Sequence, residues 1–158
     1  MQDKYNAVEV IEMAKDIEKR GQNFYSNQAE KAEDQQLKDL FLKLAADEKD
    51  HYHRFEQLSK VISEATKQEA EYVYDPDVSA YLEAIIEFSI FPADETVAIE
   101  DMEEAIRLAI YAEKDSILFY QEMLSQNKDQ TATVLKQLIK EEKKHLLELV
   151  KYDYQMNS

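Results

Sequence analysis

Cysteine is absent from the sequence, and glycine and proline nearly so: there is one glycine and there are two prolines in 158 residues. Without cysteine there are no disulfides, no thiolate catalysis, no iron–sulfur clusters and no cysteine-based zinc or iron sites. The scarcity of glycine and proline leaves few breaks in the chain and predicts long, uninterrupted helices. No stretch approaches the ~20 apolar residues of a transmembrane helix. The segment from Met1 to Ala7 is polar and lacks the apolar run of a signal peptide. Basic residues are also few. Nineteen Lys and Arg against thirty-four Asp and Glu give a formal net charge of -15, which disfavours nucleic acid and anionic membrane surfaces. The expectation is one soluble, cytoplasmic domain over residues 1–158.

What is abundant is Ala, Leu, Glu, Lys and Gln, which favour helix. Four segments carry helical periodicity. The first runs from about Ala7 to Ala29, behind Asn6 and Glu9 as a capping box. The second runs from about Gln35 to Ser63, after Asp34 as N-cap. The third runs from about Met102 to Ser125, behind Asp101 and Glu104. The fourth runs from about Gln130 to Tyr154, after Asp129. Short links at Glu30–Glu33 and Gln126–Lys128 make each pair an antiparallel hairpin. The connection from about Glu64 to Glu100 is long enough to cross a helix of ~25 residues, which spans ~37 Å. Helix three should therefore run parallel to helix two. Within that crossover, Tyr81–Ile90 reads as a short apolar helix between Pro76 and Pro92, packed across the bundle. The fold class is all-α, a four-helix bundle with a long crossover containing a short helix.

The chain repeats internally. Glu18-Lys19 recurs as Glu113-Lys114, Phe24-Tyr25 as Phe119-Tyr120, and Glu48-x-x-His51 as Glu142-x-x-His145. Two copies of one hairpin, related by a pseudo-two-fold, would bring the repeated residues around a shared centre.

The apolar seams show that these residues point inward. The second helix reads Leu37, Phe41, Leu44, Glu48, His51, Phe55, Leu58, Ile62, alternating four and three as a buried stripe does. The fourth reads Leu135, Leu138, Glu142, His145, Leu149, Tyr152. The third reads Met102, Ile106, Ala109, Glu113, Ser116, Tyr120, Met123. The first reads Ile11, Ala14, Glu18, Gly21, Tyr25. Each helix places a glutamate where an apolar residue should stand. Burying an unpaired carboxylate costs several kcal/mol, and four together repel or stay protonated. Two divalent cations offset four negative charges. Carboxylate and imidazole donors suit Fe, Mn or Zn rather than Ca or Cu(I). The alternative use of a buried Glu/His pair is a hydrogen bond.

Gly21 and Ser116 are equivalent small residues one turn after Glu18 and Glu113. They leave room for metal, water or dioxygen, or for close helix packing. Tyr25 and Tyr120 lie two turns from their glutamates on the same face, where their hydroxyls can hydrogen-bond carboxylates across the site. Asp47 and Glu141 can each accept from the other copy's imidazole N–H and so orient it. His53 falls off the seam and reads as a surface or rim histidine. Tyr72, Tyr74, Tyr81, Phe88 and Phe91 read as cover for the bundle.

With these motifs in place, Glu-x6-Tyr at 18–25 and 113–120 and Glu-x-x-His at 48–51 and 142–145, the chain resembles the ferritin-like superfamily. It is most similar to the rubrerythrin-type di-iron carboxylate branch, without a rubredoxin domain. The resemblance covers almost the whole chain. It implies Glu18 and His51 with one metal, Glu113 and His145 with the other, and Glu48 and Glu142 bridging. The implied cofactor is two iron ions, with manganese or zinc as alternatives. The implied partners are hydrogen peroxide or dioxygen and an external electron donor. Rubrerythrins carry a further Glu ligand one turn after the third-helix Glu; here that position is Ser116, which leaves a symmetric set of six. The functions in view are a di-iron peroxidase or ferroxidase, an iron buffer without turnover, and a structural bundle with a stabilising metal. A homodimer through the apolar surface of Tyr81–Phe91 is a further expectation.

Overall fold

A computed structural model describes residues 4–64, 73–88, 91, 99 and 101–157. It contains α1 (Ala7–Lys31), α2 (Gln35–Glu64), α3 (Pro76–Phe88), α4 (Met102–Ser125) and α5 (Asp129–Met156). Tyr72, Ile90 and the Phe88 side chain lie outside the described residues.

Local chemistry sets most helix ends. Asn6 and Glu9 make a reciprocal capping box at α1, which satisfies two of the amides a helix start leaves unpaired. The Asp34 side chain accepts from Leu37 N, and Asp101 accepts from Glu104 N at 2.7 Å. Two boundaries differ from the sequence expectation. The short helix starts at Pro76 rather than Tyr81, because Asp75 accepts from Asp77 N at 2.8 Å and proline suits the first helical position. Asp129 is not a cap but the first residue of α5, at φ 59. That left-handed conformation is one aspartate tolerates. The cap position falls to Lys128, which makes no side-chain capping bond.

The bundle core is two apolar clusters separated by a polar layer. One cluster holds Ile11, Ala14 and Ile17 of α1, Phe55 and Leu58 of α2, Ile117, Tyr120 and Met123 of α4, and Leu135 and Leu138 of α5. The other holds Phe24 and Tyr25, Phe41 and Leu44, Ile106 and Ala109, and Leu149. The first cluster takes the leading halves of α1 and α5 and the trailing halves of α2 and α4. Therefore α2 and α4 run parallel, and the crossover spans the bundle. Tyr152 Oη donates to Asp34 Oδ2 at one end, and Asn127 Nδ2 donates to Tyr74 Oη at the other, consistent with that direction.

α3 packs its buried Leu82 and Ile85 into the first cluster. Its start is tied to the chain's beginning: Tyr74 N donates to Tyr5 O at 2.8 Å, and Tyr5 N donates to Ser79 Oγ at 3.1 Å. Tyr74 and Phe91 are buried, whereas Tyr81 is 43% exposed.

Candidate metal centre

The layer between the two clusters consists of Glu18, Glu48, His51, Glu113, Glu142 and His145. All six are buried to 2% exposure or less. They form two groups, Glu18, Glu48, His51 and Glu142, and Glu48, Glu113, Glu142 and His145. Within each group the donor atoms lie within 4.8 Å of one another. Glu48 and Glu142 belong to both groups. The geometry thus offers two four-donor sets that share two carboxylates.

Each imidazole turns Nδ1 inward. His51 Nδ1 is 2.8 Å from Glu142 Oε1 and 3.5 Å from Glu18 Oε2. His145 Nδ1 is 3.1 Å from Glu142 Oε2, 3.2 Å from Glu48 Oε1 and 3.6 Å from Glu113 Oε1. The rings stack with centroids 5.6 Å apart. Each Nε2 faces outward to an acid on the other hairpin: His145 to Asp47 Oδ2 at 3.0 Å, and His51 to Glu141 Oε2 at 3.4 Å. An acid behind the outer nitrogen fixes ring orientation and leaves the inner nitrogen as the donor.

The tyrosines cross between hairpins. Tyr25 of α1 donates to Glu113 Oε1 of α4 at 2.6 Å, and Tyr120 of α4 donates to Glu18 Oε1 of α1 at 2.5 Å. Burial first, and then the neighbouring carboxylates, push both phenols well above their ordinary range. They therefore remain neutral donors. Each holds one oxygen of a carboxylate and leaves the other, Glu113 Oε2 and Glu18 Oε2, without a hydrogen-bond partner. Glu48 Oε1 is also unpartnered. Buried carboxylate oxygens without donors cost free energy. Their convergence with two inward imidazole nitrogens fits metal ions with oxygen and nitrogen ligands.

The charge in this layer is otherwise balanced by protons. Burial pushes the Glu48 carboxyl well up, aided by the charges of Glu142, Glu18 and Glu113. Burial and the Glu142 charge push Glu113 up to about 8. Burial also opposes ionisation of Glu18, but the His51 charge and the nearby Glu48, His51 and Tyr120 groups win, and its carboxyl falls below its ordinary value. Burial and the Glu18 charge raise Glu142, but His51 and His145 more than offset them and lower it. Burial disfavours the imidazolium of His51, yet Glu18 and Glu142 push it up to about 11. His145 shifts upward too: burial opposes, and Asp47, Glu113, Glu142 and Glu48 prevail. The clustered carboxylates thus hold protons on both imidazoles and on Glu48 and Glu113, the positions cations would compete for.

Of the two readings of Gly21, room for a ligand or close packing, the structure shows close packing. A Cβ on Gly21 would stand 3.1 Å from Phe91 Cε2 and 3.2 Å from Glu48 Oε2. The glycine admits the Glu48 carboxylate and the Phe91 ring. Ser116 donates to Ala112 O of its own helix at 2.9 Å. His53 is on the surface, 3.8 Å from Glu56. Sequence reasoning missed Arg54, whose guanidinium grips Glu141 with Nη1 at 2.6 Å and Nη2 at 3.2 Å. Its one available signal was its place one turn after Asp50, with which it also pairs at 2.8 Å.

Replacing Tyr25 or Tyr120 with phenylalanine removes the donor from a buried carboxylate oxygen. Each variant is expected to lose about 1–3 kcal/mol of stability in chelator-treated protein and about 10-fold in metal affinity. Denaturant melts and competition with a chromophoric chelator measure the two effects. Unchanged values in both would show that these hydrogen bonds hold nothing in place.

Bundle, crossover and buried layer define the class: a ferritin-like helical fold with a carboxylate- and histidine-rich centre suited to a pair of metal ions. The family model described as Rubrerythrin matches residues 9–152, and the chain belongs to that family. Its structure also matches a Thermotoga maritima protein described as a ferritin-like diiron-carboxylate protein. The TM-score is 0.74 at 24% identity, covering 99% of each chain. A search of curated proteins found no significant match. No helix among the described residues is long and apolar enough to cross a membrane.

Proposed function

We propose that this protein binds two iron ions and acts as an oxidoreductase toward hydrogen peroxide or dioxygen. The observation that carries this reading is the pair of buried donor groups sharing Glu48 and Glu142. Glu18 and His51 would hold one ion, Glu113 and His145 the other, and Glu48 and Glu142 both. Two ferrous ions supply two electrons at one site, the number a peroxide O–O bond needs for reduction to water. The protein residues hold geometry and protons. Tyr25 and Tyr120 orient Glu113 and Glu18 while staying neutral. Asp47 and Glu141 orient the imidazoles. The apolar clusters on either side exclude bulk water and favour a small oxidant.

A second reading, iron binding without turnover, is favoured by Ser116. Its hydroxyl is committed to Ala112 O, so the site has no seventh ligand from that turn. Electrons for repeated turnover would come from a separate donor or from Fe(II) itself.

Anaerobic loading with Fe(II) followed by peroxide or dioxygen separates the two. The expected result is two-electron oxidation faster than that of free Fe(II), repeated when a reductant is supplied. Oxidation no faster than free iron would leave the binding role and remove the oxidoreductase role.

A further inference from the structure

The two halves of the site are equivalent in their inner ligands but not in what stands behind them. Asp47 and Glu141 occupy the same position in the repeat, as do Arg54 and Glu148, each pair 94 residues apart. On the His51 side, both Glu141 oxygens are gripped by the Arg54 fork. The pair spans two hairpins, joining α2 to α5 directly beside the imidazole. On the His145 side, the residue in the position of Arg54 is Glu148, an acid that cannot hold Asp47. Lys43, the nearby cation, is instead paired with Glu148 at 2.6 Å. Among the described residues, His145 is the ion-pair partner recorded for Asp47. A cavity of about 210 Å³ opens here, lined by Lys43, Asp47, Glu141, Lys144, His145 and Glu148. His145 itself lines it, whereas on the other side only the outer acid Glu141 does.

We infer that Arg54 is a positioning residue that makes the two metal positions kinetically unequal. The His51 position is closed by the Arg54–Glu141 clamp, and the His145 position exchanges with solvent through the cavity beside Asp47. A bidentate guanidinium–carboxylate pair is geometrically restrictive. It limits the excursions of α5 against α2 that would let water or a chelator reach His51. Asp47 holds His145 at 3.0 Å but has no such clamp itself, and its side chain is 41% exposed, so it can move aside with the His145 ring and let a chelator in from the cavity. This inference rests on the two-metal reading above.

The test uses the full chain loaded with two equivalents of Zn(II) and challenged with an excess of chromophoric chelator. Release is expected in two phases of one equivalent each, separated by about 10-fold or more in rate. Arg54→Gln should accelerate the slow phase about 10-fold and leave the fast phase unchanged. Arg54→Lys, which keeps the charge but not the fork, should fall between. Asp47→Ala should alter the fast phase alone. A general loosening of the fold would move both phases together, so the selectivity of each variant separates positioning from stability. Release of two equivalents in a single phase overturns the inference and leaves the two-metal reading standing. Equal acceleration of both phases by Arg54→Gln also overturns it. Binding of fewer than two equivalents by the unaltered protein overturns both.

Discussion

Glutamine in place of Glu48 is expected to abolish the metal pair while leaving the metal-free fold as stable as before, or more so. Glu48 belongs to both donor groups, so its loss removes a ligand from each ion at once. An amide offers neither the charge nor the second oxygen that a shared carboxylate provides. The affinity loss should exceed the ~10–100-fold that removing an outer partner costs, and bound metal should fall from two equivalents to fewer than one. Stability should behave oppositely. Burial and three neighbouring acids push the Glu48 carboxyl well above its ordinary range, so glutamine imitates the form it already adopts without metal. Its NH₂ is a donor beside the Glu18 carboxylate, as protonated Glu48 is. Glutamine also stays neutral at every pH, so the repulsion that ionised Glu48 would meet from its neighbours cannot return as pH rises. Metal analysis after dialysis and a melt of chelator-treated protein measure both sides. Two equivalents still bound by Glu48→Gln would show that the shared-carboxylate assignment is wrong. A large drop in metal-free stability would show that Glu48 is ionised and paired instead.

Metal loading is expected to reverse the way stability depends on pH. Without metal, the melting temperature should fall between about pH 5.5 and about pH 8.5. Glu113, raised from 4.5 to about 8, stabilises the fold fully below 4.5, and that contribution is lost as pH rises through about 8. Glu48 shifts in the same direction. His51, raised from 6.5 to about 11, contributes fully below 6.5, and its contribution disappears only as pH passes about 11. Glu18 and Glu142 are lowered. Their contribution is present above 4.5 and lost only as pH falls below it, outside this window. Metal ions displace the protons on the inner ligands, so binding tightens as pH rises. At a free metal concentration about a thousandfold above Kd, each site adds about 4 kcal/mol, or about 10 °C for a chain of this size. Thermal melts at the two pH values, with and without Mn(II) or Zn(II), read both slopes. Glu113→Gln should flatten part of the metal-free slope. An unchanged melting temperature on adding metal at about pH 8.5 would rule out the two-metal centre.

Much of the site was legible because its logic is local. A glutamate every seam in place of a leucine is a one-dimensional signal, and a strict alternation of four and three tells which side of a helix it occupies. The same holds for the caps at Asn6 and Asp34, where a side chain and an amide three residues apart decide the boundary. Asp129 misled because aspartate's common role as a cap competes with its tolerance of positive φ, and the surrounding packing chose between them. Gly21 was readable as a close approach but not as an approach to what. Glu48 comes from a different helix and Phe91 from the crossover.

By itself, then, the sequence determined the all-α class, the four inward glutamates, the two inward histidines and their two-fold repetition, because helix periodicity and burial are properties of neighbours along the chain. Only the tertiary structure decided that Tyr25 serves Glu113 and Tyr120 serves Glu18, that Phe91 closes over Gly21, and that Arg54 clamps Glu141 while Asp47 stays open. Those contacts depend on how far each helix is rotated and shifted against the next. The rotation is set by side chains meeting across the bundle, which no periodicity within one helix records.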